Sequence, residues 1–184
     1  MHKLNYHFID RLDKNSIKNL PKNIAIIYRN YDHKYNEQDI LSIKKFCIAT
    51  NRKFYLANNI KLVEKLRLDG AYIPSFNKSI SVKKLKIKKF ILLGSAHNIK
   101  EINQKIKQEI DYLFISPIFK VAKKNEFLGL IKFNILSRKF NQNTVALGGI
   151  NKRNIKIIKN IKNYSFASIS YIKNINKKNV RKYF

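Results

Sequence analysis

"FILLGSAHNIKEINQKIKQEIDYLFIS", residues 90–116, contains one complete unit of the fold. It opens on a short apolar run at 90–94 and closes on another at 112–116. Continuous runs this short fit strands buried on both faces, as a parallel sheet requires. Between them, Asn98 is followed three residues later by Glu101, a capping-box-like pair that starts a helix. Ile99, Ile102, Ile106 and Ile110 then recur at helical spacing and predict one stripe facing the core. Strand, helix and strand in that order make a βαβ unit.

The same rhythm runs outward in both directions. Further apolar runs are "YHFI" (6–9), "IAIIY" (24–28), "KFYLA" (53–57), "AYI" (71–73), "TVALG" (144–148) and "FASISYI" (166–172). Helical patterns lie between them. "NEQDILSIKKFCIAT" (36–50) has Asn36 as its N-cap and acids in its first turn. "LGLIKFNILSRKF" (128–140) and "NKRNIKIIKNIKN" (151–163) are similar. Eight runs alternating with helices predict an α/β protein, a compact (β/α)8 TIM barrel, as a single domain over 1–184. At about 200 residues such barrels reach their usual lower size, so the connections after strands one and four must be short. A doubly wound open sheet is the runner-up and needs fewer strands.

The chain has 184 residues, 45% of them apolar, enough for a real core. No apolar run approaches the ~18–20 residues of a membrane span. The opening "MHKLNYHFIDRLDKN" is charged throughout and reads as the start of the domain rather than a leader. The single Cys47 excludes an intrachain disulfide and reads as a small buried apolar residue. The cytoplasm is the default compartment. Lys and Arg number 39 against 11 Asp and Glu, a net charge of +28. Nucleic-acid binding is the sharp interpretation. Compositional drift is preferred, because residues with AT-rich codons abound and the lysines are spread along the whole chain. Either way, anionic substrates are drawn to this protein.

In a barrel, residues just after each strand line the active face. They include Asp10, Arg11, Arg29, Asn30, Asn58, Asn59, 74–77, 95–97, 117–124, 149–151, Ser170 and Tyr171. That rim is basic and rich in amides, with few carboxylates, and suits phosphate oxygens. In "LGGIN" (147–151), Gly148 is expected to serve the turn. Gly149 is expected to bring a backbone amide close to an anion. Gly149→Val is therefore expected to impair phosphate binding and leave the barrel folded. In "GSAHN" (94–98), Ser95 reads as a hydroxyl donor, and His97 as a residue bonded to backbone behind the rim. "SPIFKVAKKNEFLG" (116–129) offers Lys120, Lys123 and Lys124 as clamps on a diphosphate, each weighed against mere bystander charge. The chain has no Walker-type loop, no GxGxxG, no Cys/His zinc spacing and no nucleophile elbow.

Taken in order, "NYHFIDR", "DGAYIPS", "GSAHN", "DYLFISPIF" and "ALGGI" resemble the signature stretches of the thiamine phosphate synthase family, which includes thiazole tautomerase-like relatives. The likeness covers nearly the whole chain and implies a compact (β/α)8 barrel. It implies coupling of hydroxymethylpyrimidine diphosphate to a thiazole phosphate, with magnesium assistance and release of pyrophosphate. By position it assigns Arg29, Ser95 and Lys124 to catalysis on the diphosphate and Asn58 to the diphosphate. Gly148, Gly149 and Ser170 fall at the thiazole phosphate cup. The family's two magnesium aspartates fall at Asn59 and Asn77, neutral amides that suit Mg2+ poorly. The family's Gln-x-Arg-x-Lys reads Ile27-Tyr28-Arg29-Asn30-Tyr31, its Thr-rich loop reads "KVAKK", and the tautomerase-type histidine position holds Pro117. Two alternatives to a synthase stay open: a relative that binds a thiamine-related phosphate without this activity, and, less favoured, a basic nucleic-acid-binding barrel. The expected partner is a small phosphorylated substrate, with no membrane partner. A homo-oligomer is left open.

Overall fold

The computed structural model describes residues 4–31, 35–122, 126–140, 143–161 and 165–173. Its elements run β1 (Asn5–Ile9), α1 (Lys14–Lys18), β2 (Ile24–Tyr28), α2 (Glu37–Ala49), β3 (Phe54–Ala57), α3 (Ile60–Lys65) and β4 (Gly70–Ile73). A 3-10 helix (Ile80–Lys83) leads into α4 (Lys84–Ile87), then β5 (Ile91–Ala96), α5 (Ile99–Lys107) and β6 (Tyr112–Ile115). The chain continues through α6 (Gly129–Arg138), β7 (Asn143–Leu147), α7 (Ile155–Ile158), β8 (Phe166–Ser168) and α8 (Ser170–Lys173). All eight strands pair in parallel in sequence order and close on themselves, with Tyr6 opposite Ala167 and His7 opposite Ser168. This is the (β/α)8 barrel, not the open sheet. Among the described residues no helix is long and apolar enough to cross a membrane.

The strand period of two sorts side chains into two layers. Ile24, Ile26, Phe54, Leu56, Ala71 and Leu113 face outward and pack beneath the helices. Tyr6, Phe8, Tyr55, Tyr72 and Phe114 point into the lumen beside the small Ala25, Ala57 and Ala167. The lumen rings meet edge-on, Tyr6 and Phe114 with centroids 4.9 Å apart and Phe8 and Tyr72 at 5.1 Å. Large rings against alanines suit the interior of a narrow barrel.

The predicted caps form. Asn36 Oδ1 accepts the Gln38 N–H at 2.9 Å, and Asn98 Oδ1 accepts the Glu101 N–H at 3.0 Å. Cys47 is buried, and burial pushes its thiol up to about 12. Three expectations are corrected. First, β5 runs through Ala96, so Ser95 lies within the strand and is buried. Second, the last apolar run is not one strand: β8 ends at Ser168, whose Oγ accepts the Tyr171 N–H at 3.1 Å and turns the chain into α8.

Third, the α5 stripe is rotated. Ile102 and Ile110 are buried, but Ile99 and Ile106 are 40% and 45% exposed. Lys105 and Gln108 are fully buried in their place. The apolar stem of Lys105 crosses Gly94, where an added Cβ would lie 3.1 Å from Lys105 Cδ. Its ammonium finds carbonyl acceptors beyond, so the face closes over a lysine. Burial lowers the Lys105 pKa to about 8, with the Glu101 carboxylate opposing that shift, so the group stays charged at neutral pH.

Candidate functional site

Beyond β7 and β8 lies a cavity of about 400 Å3 lined by Lys120, Gly148, Gly149, Asn151, Ile169 and Ser170, among others. Three of the expected site residues meet in it. Both glycines have positive φ, +95° and +71°. The segment after β6 docks on them: Ile118 N–H donates to Leu147 O at 2.9 Å and Phe119 N–H to Gly148 O at 3.1 Å. A Cβ on Gly148 would sit 2.9 Å from Pro117 Cα, and one on Gly149 would sit 2.5 Å from the Phe119 and Lys120 carbonyls. Both positions therefore need glycine, for φ and for close backbone packing. Asn151 Oδ1 accepts the Arg153 and Asn154 N–H groups, and Asn154 Nδ2 donates to Gly149 O at 2.8 Å, which fixes the turn.

A second cavity, of about 160 Å3, opens above β1 and β2, lined by Phe8, Asp10, Arg11, Asp13, Arg29 and Ile169 among others. Ile169 lines both cavities, so they adjoin. The Arg29 guanidinium lies 4.7 Å from the Phe8 ring centroid and 5.8 Å from that of Tyr31. Among the described residues it enters no ion pair. Tyr31 in turn meets Phe76 edge-on at 5.5 Å, and both are exposed. Sequence reasoning passed over this aromatic pair, because its two rings are 45 residues apart (76 − 31).

The corner after β3 and β4 is built from amides. Asn58 takes a positive φ of 56° and its N–H donates to Tyr72 O at 2.8 Å. Asn77 Nδ2 donates to Asn58 Oδ1 at 2.6 Å, and Asn77 Oδ1 accepts the Ser79 N–H at 2.9 Å. Asn59 is the N-cap of α3, its Oδ1 accepting the Leu62 N–H at 3.1 Å. Both amide oxygens are thus engaged within the protein, and both groups are neutral. They do not fit Mg2+, which favours hard anionic oxygens. No group of three or more His, Cys, Asp or Glu that could hold a metal ion exists among the described residues.

Ser95 is buried in β5, and the Tyr72 hydroxyl is its hydrogen-bond partner. His97 is bonded to a carboxylate rather than to the backbone expected: Nδ1 lies 2.9 Å from Glu101 Oε2, which also accepts the His97 N–H at 2.8 Å. Burial pushes the Glu101 pKa up, but the bonds from His97 and Asn98 outweigh it and hold the pKa below its ordinary value. Lys123 and Lys124 lie outside the described residues. Lys105 and Gln108 were missed because a lone lysine on a helix reads as a solvated residue.

A closed barrel with a glycine-built cavity beyond strands seven and eight has the layout in which barrels of this class hold phosphate groups. The chain belongs to the thiamine monophosphate synthase family, whose model matches residues 16–172. It is 32% identical over 136 residues to the thiamine-phosphate synthase of Prochlorococcus marinus subsp. pastoris, covering 72% of this chain and 39% of that protein. It is 33% identical over 145 residues to thiamine-phosphate synthase 1 of Streptococcus pneumoniae, covering 74% of this chain and 69% of that one. The chain thus spans well under half of the first relative's length. Among solved structures, thiamine phosphate pyrophosphorylase from Pyrococcus furiosus superposes with a TM-score of 0.76 at 19% identity, covering 98% of this chain and 91% of that one. The Bacteroides thetaiotaomicron counterpart gives 0.61 at 16% identity, covering 99% and 93%. These two likenesses establish the fold.

Proposed function

We propose that the protein is a thiamine phosphate synthase, joining hydroxymethylpyrimidine diphosphate to thiazole phosphate with release of pyrophosphate. The observation that carries this reading is the pair of adjoining cavities, one shaped by Gly148, Gly149 and Ser170, the other holding Arg29. The first takes the thiazole phosphate and the second the leaving diphosphate. Asn58, Ser95 and Lys124 act at the diphosphate, while Lys120 lines the first cavity beside Gly148 and Gly149. The exposed Tyr31–Phe76 pair offers a planar face to the pyrimidine.

The chemistry balances without proton transfer. The bond between the pyrimidine methylene carbon and the diphosphate oxygen breaks, and pyrophosphate leaves with the electron pair. The thiazole ring nitrogen then supplies its lone pair to that carbon, forming the new C–N bond. No general base is required, which agrees with His97 being tied to Glu101. The protein's work is to hold both substrates in line and to stabilise the departing anion. A net charge of +28 draws both substrates to the rim. Phosphorylated substrates do not cross a lipid core unaided, so the reading places the protein in the cytoplasm, with residues 1–184 as one domain.

The test is the coupling reaction itself, run with purified protein, both substrates, and either Mg2+ or EDTA. Thiamine phosphate and pyrophosphate forming in equal amounts is the expected result. No product above background in either condition overturns the reading.

A further inference from the structure

Lys105 is a buried cation that bonds no acid directly, the Glu101 carboxylate one turn earlier acting on it only through space. Its Nζ donates to Pro74 O at 2.7 Å, Asn77 O at 3.1 Å and Gln108 Oε1 at 2.9 Å. All three ammonium N–H groups thus go to neutral oxygens, and among the described residues Lys105 joins no ion pair. A buried lysine ordinarily sits against a carboxylate.

Its neighbours on α5 act on the same segment. Gln108 Nε2 donates to Asn77 O at 3.0 Å and Ser79 O at 2.9 Å, and Gln104 Nε2 to Lys78 O at 2.7 Å. Five hydrogen bonds from α5 and its C-cap Gln108 therefore hold the carbonyls of 74–79. The loop so held presents Asn77 to Asn58 on the rim. Arg52 offers a contrast. It is also buried on carbonyls, those of Leu20, Pro21 and Ile24, but it precedes β3 at the opposite end of the barrel.

A divalent cation between carboxylates would pin the loop and place positive charge beside a diphosphate. In this chain the corresponding amides do not fit such a cation. Building on the synthase reading, we propose that Lys105, with Gln108, is a positioning residue that replaces the divalent cation at this corner. It pins the 74–79 loop and sets a fixed positive charge behind Asn58 and Asn77, so that the diphosphate is held without a metal.

Inorganic pyrophosphate is the probe, titrated calorimetrically into the full chain in EDTA and again in Mg2+, with thiazole phosphate as the control ligand for the β7–β8 cavity. Wild-type affinity for pyrophosphate is expected to agree within about threefold between the two conditions, because metal contributes little where its ligands are neutral. Lys105→Met keeps the stem and removes the charge; it should weaken pyrophosphate about tenfold or more and leave thiazole phosphate within about twofold. In turnover, the KM for the pyrimidine diphosphate should rise while that for thiazole phosphate holds. Arg52→Met is the control for a merely structural loss, lowering Tm without a selective effect on pyrophosphate. If Lys105→Met does not fold, Gln108→Leu, which leaves the ammonium in place, should weaken pyrophosphate about threefold with the same selectivity. Loss of wild-type pyrophosphate binding in EDTA overturns the proposal. So does a folded Lys105→Met with unchanged affinity, an equal loss for both ligands, or a folded Gln108→Leu without selective loss where that variant carries the test. Selective pyrophosphate loss without any coupling activity would instead remove the synthase reading alone.

Discussion

The β7–β8 corner of the rim is shaped by main chain, whereas the β3–β4 corner is shaped by side chains. Gly148 and Gly149 shape the first through φ and through contact with the segment after β6. Asn58, Asn59 and Asn77 make the second, and their amides bond to one another and to backbone. A backbone wall depends on few side chains, so a lysine-rich composition leaves it intact. A wall of side chains changes its chemistry with each residue, and here it has become neutral, with a buried ammonium behind it.

The largest effect that would break this contrast comes from Gly149→Val. With a Cβ 2.5 Å from two carbonyls at φ +71°, the variant should lose about 3 kcal/mol or more of stability, read as a shift in denaturant midpoint. Ligand binding lost at unchanged midpoint would mean that the loop yields and the wall is softer than argued. Next, Arg29→Ala should lower kcat/KM for coupling about 100-fold at nearly unchanged Tm. Arg29→Lys should not restore it, since the planar group stacks on Phe8. A Lys variant of full activity would show that charge alone suffices there.

Smaller effects sharpen the β3–β4 side. Phe76→Ala should raise the KM for the pyrimidine diphosphate about fivefold and leave that for thiazole phosphate unchanged. Equal effects on both would remove the aromatic pair from pyrimidine recognition. Asn59→Ala should cost about 1 kcal/mol through loss of the α3 cap, with pyrophosphate affinity unchanged. A selective loss of pyrophosphate would return Asn59 to the ligand set.

Much of the fold was legible because its signals are local. Each strand is a short apolar run, and Asn36 and Asn98 cap their helices through bonds two and three residues along. The glycine pair at 148–149 was likewise legible as a turn. The α5 stripe was misread because helical periodicity fixes spacing but not which of two adjoining arcs turns inward. Ile99 and Ile106 lost that place to Lys105 and Gln108, whose acceptors lie about thirty residues away in the chain. Tyr31 and Phe76, and Asn58 and Asn77, are paired for the same reason only in space.

By itself the sequence determined the alternation of strands and helices, the eightfold count, the caps and the glycine-built corner. All of these rest on contacts between near neighbours or on a residue's own conformational range. The tertiary structure alone decided that Asn59 caps a helix, that Asn77 reaches Asn58, that Gly149 abuts the Phe119 and Lys120 carbonyls, and that Lys105 is buried. Those depend on which distant groups barrel closure brings within hydrogen-bond reach, and no local pattern encodes that distance.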